Sequence, residues 1–393
     1  MKHLKFILIS FVAIFAACSP DPGIVSVGID DSYTIYRMQK LHLNPALTGE
    51  AYRWTLINGS DTEKTLSEER DYIFIAEKEG IYNLSFEIID AETPYKMDFA
   101  VNVLHEEIEY SPYISRVYEY CPAPGQFVND MPEYEDGDTY NDMLKKAEEA
   151  ISGTAEVLIS LGSYGGYVTF GFDHTIVNVE GEKDFRIWGN MFYDTGNQSQ
   201  KGGSAEPGIV MVSFDRNCNG QPDDEWYELA GSEYDKSLKN YEITYHRPDP
   251  DREIIKDNVW GLTDVNYIRW SDSEGKEGYV SKNTFHVQDY FPKWLNDETL
   301  SFRGTCLPQN AELNGRMFFF NCFGWGYADN YPNGEVDNNS FDIDWAVDID
   351  GNRIKLPGAD FVRVYTGVNQ YCGWLGETST EICKAADLHV YTE

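Results

Sequence analysis

The chain has 393 residues and a formal net charge of −35, from 66 acidic and 31 basic side chains. A surface this negative repels phosphate backbones and anionic headgroups, which argues against nucleic acid or a membrane surface as a partner. The length predicts two or three domains. The aromatic content of 15%, with 27 tyrosines, favours β-rich structure.

The N-terminus predicts export. After a short basic start, residues 6–17 are apolar except for Ser10, and this run is about half of the ~20 residues that a membrane-spanning helix needs. Residues 1–17 are therefore predicted to be a signal peptide. The sequence Phe-Ala-Ala-Cys that ends at Cys18 resembles a lipobox, which implies lipidation of Cys18 and a tether over 18–23. Phenylalanine stands where the lipobox usually has leucine, and the alternative is an ordinary signal peptide cleaved before an incidental cysteine.

The residues that follow the predicted anchor also predict where the protein is located. Asp21 follows Cys18, and acidic residues at this place resemble the surface-export signal of Bacteroidetes lipoproteins. Nothing later in the sequence is apolar enough to span a bilayer. We therefore expect an outer-membrane lipoprotein on the cell surface, touching the membrane only through its lipid.

Residues 24–106 are predicted to form a small immunoglobulin-like sandwich. Short segments rich in β-branched and aromatic residues alternate in polarity and are separated by turn clusters. The predicted strands are Tyr33–Tyr36, Tyr52–Leu56, Tyr72–Ile75, Tyr82–Ile89 and Phe99–Leu104.

This segment resembles a PKD-type domain. Its second strand places Trp54 in the core, Gly80–Leu84 matches the G-x-Y-x-[VL] strand, and Phe99–Val103 would close the fold. Such domains usually act as spacers or adhesion modules. The resemblance therefore predicts the fold of this segment and not a specific ligand.

Residues 107–136, rich in proline and tyrosine, are predicted to connect this unit to a larger β-sandwich over 137–393. A single helix begins this part, with Asp138 or Thr139 as its cap, a stripe of apolar residues, and Gly153 at its end. The remaining pattern predicts a jelly-roll-like sandwich with long loops. Its predicted strands are Val157–Leu161, Tyr167–Phe172, Phe185–Phe192, Ile209–Phe214, Glu225–Leu229, Tyr241–His246, Tyr267–Trp270, Leu300–Arg303, Met317–Phe323, Phe341–Val347, Phe361–Tyr365 and Ala386–Tyr391.

The sharpest local motif begins at Asp215 as a D-x-N-x-N-G run. Alternating side-chain oxygens and a glycine at the sixth position suit calcium, which takes six to eight oxygen ligands. The predicted ligands are Asp215, Asn217, Asn219, Gln221, Asp223 and Asp224. The twelfth position is Trp226 rather than glutamate, so a structural calcium loop between strands is expected. The alternative is a turn whose side chains bond their own backbone.

Three further features are open to two interpretations. Asp342 and Asp344 alternate along a predicted strand and either form a ligand face or are solvated, whereas 348–352 is typical of a hairpin turn. His174, after Asp173 on a predicted strand edge, is interpreted as a surface contact rather than as part of a dyad. Cys306 and Cys322 lie on successive predicted strands, where a disulfide is possible.

Enzyme motifs are missing from the sequence: it has no G-x-S-x-G elbow, no H-E-x-x-H and no P-loop. We therefore expect a binding protein rather than an enzyme. Aromatic residues in predicted loops offer large, stiff contact surfaces for sugar rings or flat macrocycles. The predicted ligand-binding residues are Trp325, Tyr327, Tyr331, Tyr371 and Trp374.

Most of the chain resembles a family of Bacteroidetes cell-surface lipoproteins that carry a PKD-like domain. The matching stretches are Tyr120–Asn129, Gly171–Asn178, Ser204–Val212, Trp226–Glu233 and Gly376–Ile382. Members of this family tend to be encoded with outer-membrane cobalamin transport components. The resemblance implies capture of a corrinoid such as vitamin B12 for a TonB-dependent transporter; the alternative is a glycan-binding or adhesive surface protein.

Overall fold

The computed structural model describes residues 27–58, 62–90, 92, 94–194 and 201–391. The predicted signal peptide, Cys18 and the tether lie outside the described residues. Within the described part, no helix is long and apolar enough to cross a membrane.

Residues 27–104 form two sheets around one core. The strands are β1 (Ser32–Tyr36), β2 (Leu41–Leu43), β3 (Ala51–Asn58), β4 (Thr62–Ser67), β5 (Tyr72–Phe74), β6 (Gly80–Ile89) and β7 (Tyr95–Leu104). One sheet has the order β1-β7-β6-β3-β4, and the other is the pair β2-β5. The five predicted strands are present, and β2 and β4 are additional.

Trp54 on β3 is the centre of this core, as the sequence predicts. Its side chain is fully buried, with its ring 4.3 Å from that of Phe86. The indole Nε1 donates to the carbonyl oxygen of Glu69 at 2.9 Å, so burial leaves no unsatisfied donor.

The segment 107–136 is more than a connection, because it contains β8 (Arg116–Cys121). Its alternating β-branched and aromatic residues suit a strand. The predicted helix follows as α1 (Tyr140–Ile151), and Thr139 is its N-cap. Thr139 and Asp142 form a capping box, with Asp142 Oδ2 accepting from the Thr139 N–H at 2.9 Å, so the local sequence alone specifies where the helix begins.

The remaining strands are β9 (Ile159–Ser160), β10 (Tyr167–Val177), β11 (Phe185–Trp188), β12 (Gly202–Gly203), β13 (Gly208–Ser213), β14 (Trp226–Leu229), β15 (Leu238–His246), β16 (Leu262–Asp272), β17 (Glu277–Asn283), β18 (Thr299–Cys306), β19 (Ala311–Asn314), β20 (Met317–Asn321), β21 (Ser340–Phe341), β22 (Ala346–Val347), β23 (Gly358–Thr366), β24 (Glu381–Ile382) and β25 (Lys384–Asp387).

A six-stranded sheet with the order β22-β14-β13-β23-β10-β8 is the middle layer of this larger part. Successive residues of a strand point to opposite faces. On β13 and β23, Val210 and Val364 belong to one hydrophobic cluster, whereas Ile209 and Tyr365 belong to another. Both faces of the sheet are therefore buried, which explains why these strands are almost continuously apolar.

The two faces are covered by different elements. The first carries the sheet β21-β11-β25 and α1, whose apolar side chains share its cluster. The second carries the sheet β17-β16-β15-β18. Two small sheets, β12-β20-β19 and β24-β9, complete the described strands. The predicted all-β sandwich is thus confirmed, with one α-helix among the described residues and its strands divided among several sheets.

The predicted strand Phe341–Val347 is wrong in its middle. A 3₁₀ turn over Ile343–Trp345 separates β21 from β22. The Asp342 side chain accepts from the backbone N–H of Asp344 at 2.9 Å, so Asp342 caps the turn instead of sharing a strand face with Asp344. Competition of an aspartate with the strand ladder is the physical reason.

The predicted turn at 348–352 is present in the structure, and the possible disulfide is not. The turn at 348–352 is confirmed, because Asp348 Oδ1 accepts from the N–H groups of Asp350 and Asn352. The possible disulfide is not present in the structure, where Cys306 and Cys322 both carry free thiols.

Candidate ligand-binding site

A cleft of about 560 Å³ opens beside the four-stranded sheet. This volume lies within the range of ~300–1,000 Å³ that is usual for small-ligand sites. We call it the tyrosine cleft, and its lining residues are Ser163, Tyr164, Lys236, Leu238, Tyr241, Tyr245, Trp270, Asp272, Lys276, Tyr279, Val280, Cys306, Leu307, Pro308, Gln309, Asn369, Gln370, Tyr371 and Glu377.

The tyrosine cleft has a buried floor and an exposed rim. Tyr164, Tyr245 and Glu377 are among the buried lining residues, whereas Lys236 and Lys276 are exposed. A ligand that enters would leave water for a surface of aromatic rings and a few polar groups.

Trp270 on β16 supplies a half-buried aromatic wall. Its cross-strand partners are Tyr245 on β15 and Gly278 on β17. A Cβ at Gly278 would lie 2.4 Å from the indole ring, so only glycine lets the indole lie across the neighbouring strand. The ring is therefore held in place by the backbone beneath it.

A chain of hydrogen bonds fixes the polar part of the cleft. The Tyr241 hydroxyl donates to Asp272 Oδ2 at 2.7 Å and accepts from Asn369 Nδ2 at 2.8 Å. The buried Tyr245 hydroxyl donates to the carbonyl oxygen of Tyr164 at 3.0 Å. These side chains are positioned before any ligand arrives, which reduces the entropy that binding must cost.

Glu377 reaches the floor from a tight loop. Residues Tyr371 and Glu377 form an antiparallel bridge around a 3₁₀ turn over Gly373–Leu375. Gly376 within this loop has φ +91°, a conformation that glycine adopts without strain.

The carboxyl group of Glu377 is only half satisfied. Oε1 accepts from the backbone N–H of Gln126, but the buried Oε2 has no hydrogen-bond partner. Burial raises the pKa of Glu377 to about 7. The Tyr371 hydroxyl lies near Ser281 yet makes no hydrogen bond of ordinary geometry. Glu377 Oε2 and the Tyr371 hydroxyl are thus buried polar atoms that lie behind the surface of the cleft.

Of the five aromatic residues predicted to bind ligand, Tyr371 is the one that lines the tyrosine cleft. Trp374 lies on the same loop, where its Nε1 donates to the carbonyl oxygen of Arg316 at 2.9 Å and its ring packs 6.0 Å from Phe285.

The other three aromatic residues are divided between surface and core. Trp325 is 38% exposed and contacts Trp345, with ring centroids 4.5 Å apart. Tyr327 and Tyr331 are buried, which departs from the prediction that they face a ligand. The Tyr327 hydroxyl accepts from the Glu233 N–H at 2.9 Å, so this residue holds two loops together.

Trp270, Tyr245 and Glu377 were missed by the sequence reasoning. Tyr245 and Trp270 belong to predicted strands, and strand aromatics are more often core residues. The available signal was Gly278, a glycine inside a strand, which indicates close approach of another group.

The predicted calcium loop draws its side chains together in the structure. Asp215 Oδ1 and Oδ2 accept from the N–H groups of Asn219 and Gly220. Asn217 Nδ2 and Asn219 Nδ2 both donate to Asp223, at 3.0–3.2 Å. The side-chain oxygens of Asn217 and Asn219 accept from the backbone N–H groups of Asn219 and Gln221, as in the alternative of a turn that bonds its own backbone, and both amides direct nitrogen at the Asp223 carboxylate.

The remaining two predicted ligands are at the edges of this loop. Asp224 Oδ2 accepts from the Arg216 N–H at 3.2 Å, and the exposed Gln221 donates through Nε2 to the Gly220 carbonyl. A bound cation would require the amides of Asn217 and Asn219 to rotate so that oxygen replaces nitrogen.

We expect calcium to stabilise the protein through this loop. At a hundredfold excess over Kd, calcium should raise the free energy of unfolding by about 2–3 kcal/mol, and EDTA should reverse the effect in a thermal melt. Asp223→Ala should remove the response, whereas Asp350→Ala in the ordinary turn at 348–352 should not. A melting temperature insensitive to both calcium and EDTA would refute the calcium hypothesis.

The interpretation of His174 as a surface contact is wrong. Its side chain is buried and lies between two carboxylates, with Nδ1 2.7 Å from Asp173 Oδ1 and Nε2 2.7 Å from Asp387 Oδ2. Burial alone would lower the pKa of His174, but the bonds to Asp387 and Asp173 raise it. The partner Asp387 is more than 200 residues away in sequence, so local pattern could not reveal it.

Three carboxylates that the sequence did not single out also lie together. Ligand atoms of Glu206, Asp329 and Glu381 are within 4.8 Å of one another. Burial and mutual repulsion raise the pKa of Glu206 and Glu381 well above the ordinary value, and burial raises that of Asp329 to about 7. We infer that the group retains protons at neutral pH.

No protein-family model matches the chain, and no curated protein matches it. Among solved structures, it is similar to a quinoprotein alcohol dehydrogenase-like protein from Bacteroides thetaiotaomicron, with 12% identity, a TM-score of 0.18, and coverage of 66% of this chain and 49% of that one. The chain thus spans about half the length of that protein.

Two further structures are similar over most of their length. One is a SusE-like protein, with 6% identity, a TM-score of 0.28, and coverage of 90% of this chain and 95% of that one. The other is a carbohydrate-binding module of the β-sandwich superfamily, described as having promiscuous specificity, with 8% identity, a TM-score of 0.14, and coverage of 91% and 94%. At these TM-scores the likeness carries no argument about ligand or partner.

Proposed function

We propose that this protein binds a carbohydrate in the tyrosine cleft. The observation that carries the proposal is a half-buried indole, Trp270, positioned over Gly278 in a cleft that also presents carboxylate and amide groups. A pyranose has apolar C–H faces that pack on an aromatic ring and hydroxyls that need planar polar partners. The cleft supplies both kinds of surface.

The polar groups of the cleft match the needs of sugar hydroxyls. Asp272 and the amides of Gln309 and Asn369 line it and together offer both acceptors and donors. Because Tyr241 is already tied to Asp272 and Asn369, these groups would bind without large rearrangement. This preorganisation favours recognition of a specific ring rather than loose adhesion.

The family resemblance suggests a corrinoid as the second candidate. A corrinoid is a broad macrocycle rimmed by amide side chains, and a cleft of about 560 Å³ favours a sugar unit over enclosure of such a ligand. The corrinoid hypothesis, with its TonB-dependent transporter, therefore becomes the alternative outcome of the same binding experiment.

We further propose that the protein is an outer-membrane lipoprotein held at the cell surface by lipid on Cys18. The support is the basic and apolar N-terminus followed by the lipobox-like residues. In this proposal the sandwich over 27–104 is a spacer, the calcium loop is structural, and the tyrosine cleft binds ligand without catalysis.

A glycan array tests the proposed function. The mature chain should bind a defined subset of plant, microbial and mucin glycans, and Trp270→Ala should lose that binding because the stacking surface is gone. Trp374→Ala, which removes a tryptophan outside the cleft, is the matched control and should retain it. Binding that Trp270→Ala leaves intact, or no binding to any glycan, would contradict the proposal.

A further inference from the structure

We infer that a second pocket, separate from the tyrosine cleft, binds a sugar unit that carries a carboxylate. This pocket has a volume of about 320 Å³, at the lower end of the range that is usual for small-ligand sites, so it suits a single ring. The inference goes beyond the proposed function, because the residues that define the pocket do not line the tyrosine cleft. We call it the lysine pocket, and those residues are Trp226, Glu228, Tyr234, Lys239, Arg303 and Asp348.

A β-bulge in β15 turns two polar side chains towards the lysine pocket. The pairing of β15 with β18 shifts its register between Leu238 and Tyr241, and Asn240 within the bulge has φ +55°, a conformation that is uncommon outside glycine. Leu238 and Tyr241 line the tyrosine cleft, whereas Lys239 and Asn240 line the lysine pocket. Bulges are frequent next to functional sites, where they redirect side chains, so this irregularity supports a binding role for the pocket.

The two cations of the lysine pocket have no carboxylate partner. Lys239 Nζ lies 2.8 Å from the centre of the Tyr234 ring, and Arg303 Nη2 donates to Asn240 Oδ1 at 3.3 Å. Among the residues that the structure describes, neither cation forms a salt bridge. Both are exposed, so a ligand can reach them. Partial burial lowers the pKa of Lys239, which means that its ammonium group has lost water without gaining an anion.

The two carboxylates that line the lysine pocket accept from other donors. Glu228 Oε2 accepts from the Thr305 hydroxyl, and Asp348 accepts from the backbone N–H groups of its own turn. Glu228 is only partly buried, and within the described part of the chain no donor reaches its Oε1. The pocket therefore offers two free cations to an anion and one free carboxylate oxygen to a hydroxyl.

An acidic sugar matches this set of groups. Its carboxylate would accept from Lys239 and Arg303 in charge-assisted bonds, which are about twice as strong as neutral ones. Its ring would pack on the half-buried indole of Trp226, which the Arg363 guanidinium holds from 4.3 Å, and a ring hydroxyl would donate to Glu228. A neutral sugar would leave both cations unpaired, and a small anion would leave the indole uncovered.

Three probes test the inference by calorimetry at pH 7 in dilute salt. D-glucuronate has both the ring and the charge, its methyl ester keeps the ring without the charge, and acetate keeps the charge without the ring. Glucuronate should bind about tenfold more tightly than either of the others, which corresponds to ~1.4 kcal/mol. Equal affinity for glucuronate and the ester, or for glucuronate and acetate, would overturn the inference.

Charge-removing variants locate the site. Lys239→Met and Arg303→Met should each weaken glucuronate binding about tenfold, and because both side chains are exposed the variants should melt like the wild type. Lys145→Met, on the exposed surface of α1, is the matched control and should bind glucuronate as the wild type does. Affinity that both pocket variants retain would refute the assignment.

The outcomes separate this inference from the proposed function. If Trp270→Ala removes glucuronate binding and Lys239→Met does not, the acid binds in the tyrosine cleft and the second site is refuted. Failure of every glycan on the array overturns the proposed function, whereas loss of glucuronate binding in Lys239→Met would still support the lysine pocket.

Discussion

Replacing Lys40 by methionine should lower the free energy of unfolding by about 3–5 kcal/mol, the usual cost of removing one partner from a buried ion pair. Lys40 Nζ lies 2.8 Å from Asp360 Oδ2 and 2.8 Å from the carbonyl oxygen of Asp215. The two side chains are only 12% and 16% exposed. Without Lys40, Asp360 would be a buried carboxylate with no cation.

This ion pair also joins two parts of the chain. Lys40 belongs to the unit over 27–104, whereas Asp360 lies on β23 of the six-stranded sheet. Asp360 Oδ2 accepts in addition from the Asp215 N–H at 2.7 Å, so the same carboxylate anchors the base of the predicted calcium loop. We expect the N-terminal unit to loosen first in the Lys40→Met variant.

Urea denaturation of Lys40→Met beside Lys145→Met measures the effect. Lys145 pairs with Glu149 on the surface of α1, with the lysine side chain 74% exposed, and such pairs contribute little. The loss for Lys40→Met should also shrink in acid, because a protonated Asp360 needs no cation. Equal losses for the two variants would show that the Lys40–Asp360 contact is not a buried ion pair in solution.

The second large effect is on pH dependence: the protein should be more stable near pH 5.5 than at pH 8. Burial raises the pKa of Glu377 and of Asp329 to about 7, from ordinary values of 4.5 and 3.8. Between these values the folded state holds protons that the unfolded chain releases. The stability that these two groups contribute is therefore complete below their unfolded pKa and is lost as the pH rises through the folded pKa of about 7.

Two buried histidines also make the protein more stable in weak acid than in base. Hydrogen bonds to carboxylates raise the pKa of His174 and His389 above the ordinary 6.5 despite burial. Their contribution is complete below pH 6.5 and is lost as the pH rises through the folded pKa. Exposed acids such as Asp142, whose pKa is lowered by Thr139, make the protein less stable in acid, but only below about pH 4. The free energy of unfolding is therefore expected to be greatest between this range and neutral pH.

Melting temperatures from pH 4 to pH 9 test this account, with Glu377→Gln as the diagnostic variant. Removing the ionisable group should raise the free energy of unfolding at pH 8 by about 1–3 kcal/mol, since one pKa unit is 1.36 kcal/mol. It should also flatten the profile, whereas Glu298→Gln should follow the wild type. A profile that rises from pH 5.5 to pH 8, or a Glu377→Gln variant less stable at pH 8, would be inconsistent with a buried, unpaired carboxyl.

Features set by neighbouring residues were predictable from the sequence. Trp54 is expected in the core because its strand alternates, and Asp138 or Thr139 is expected as a cap because a helical stripe follows them; the structure selects Thr139. The physical cause in both cases lies within a few residues. Where a side chain competes with the backbone pattern, as Asp342 does, the predicted strand was interrupted.

The candidate site was not predictable in this way, because it is assembled from remote segments. Tyr164, Trp270 and Glu377 meet in one cleft although about 100 residues separate each from the next. Their proximity follows from sheet order, which a periodic pattern does not specify. For the same reason His174 gave no sign of its buried partner Asp387.

Isothermal titration of the mature protein with the best glycan from the array, and separately with cyanocobalamin, tests the central claim most directly. We predict saturable binding of the glycan that Trp270→Ala abolishes and Trp374→Ala preserves, and no heat from cyanocobalamin at high micromolar concentration. Saturable binding of cyanocobalamin in the absence of any glycan binding would contradict the assignment of the tyrosine cleft to a sugar.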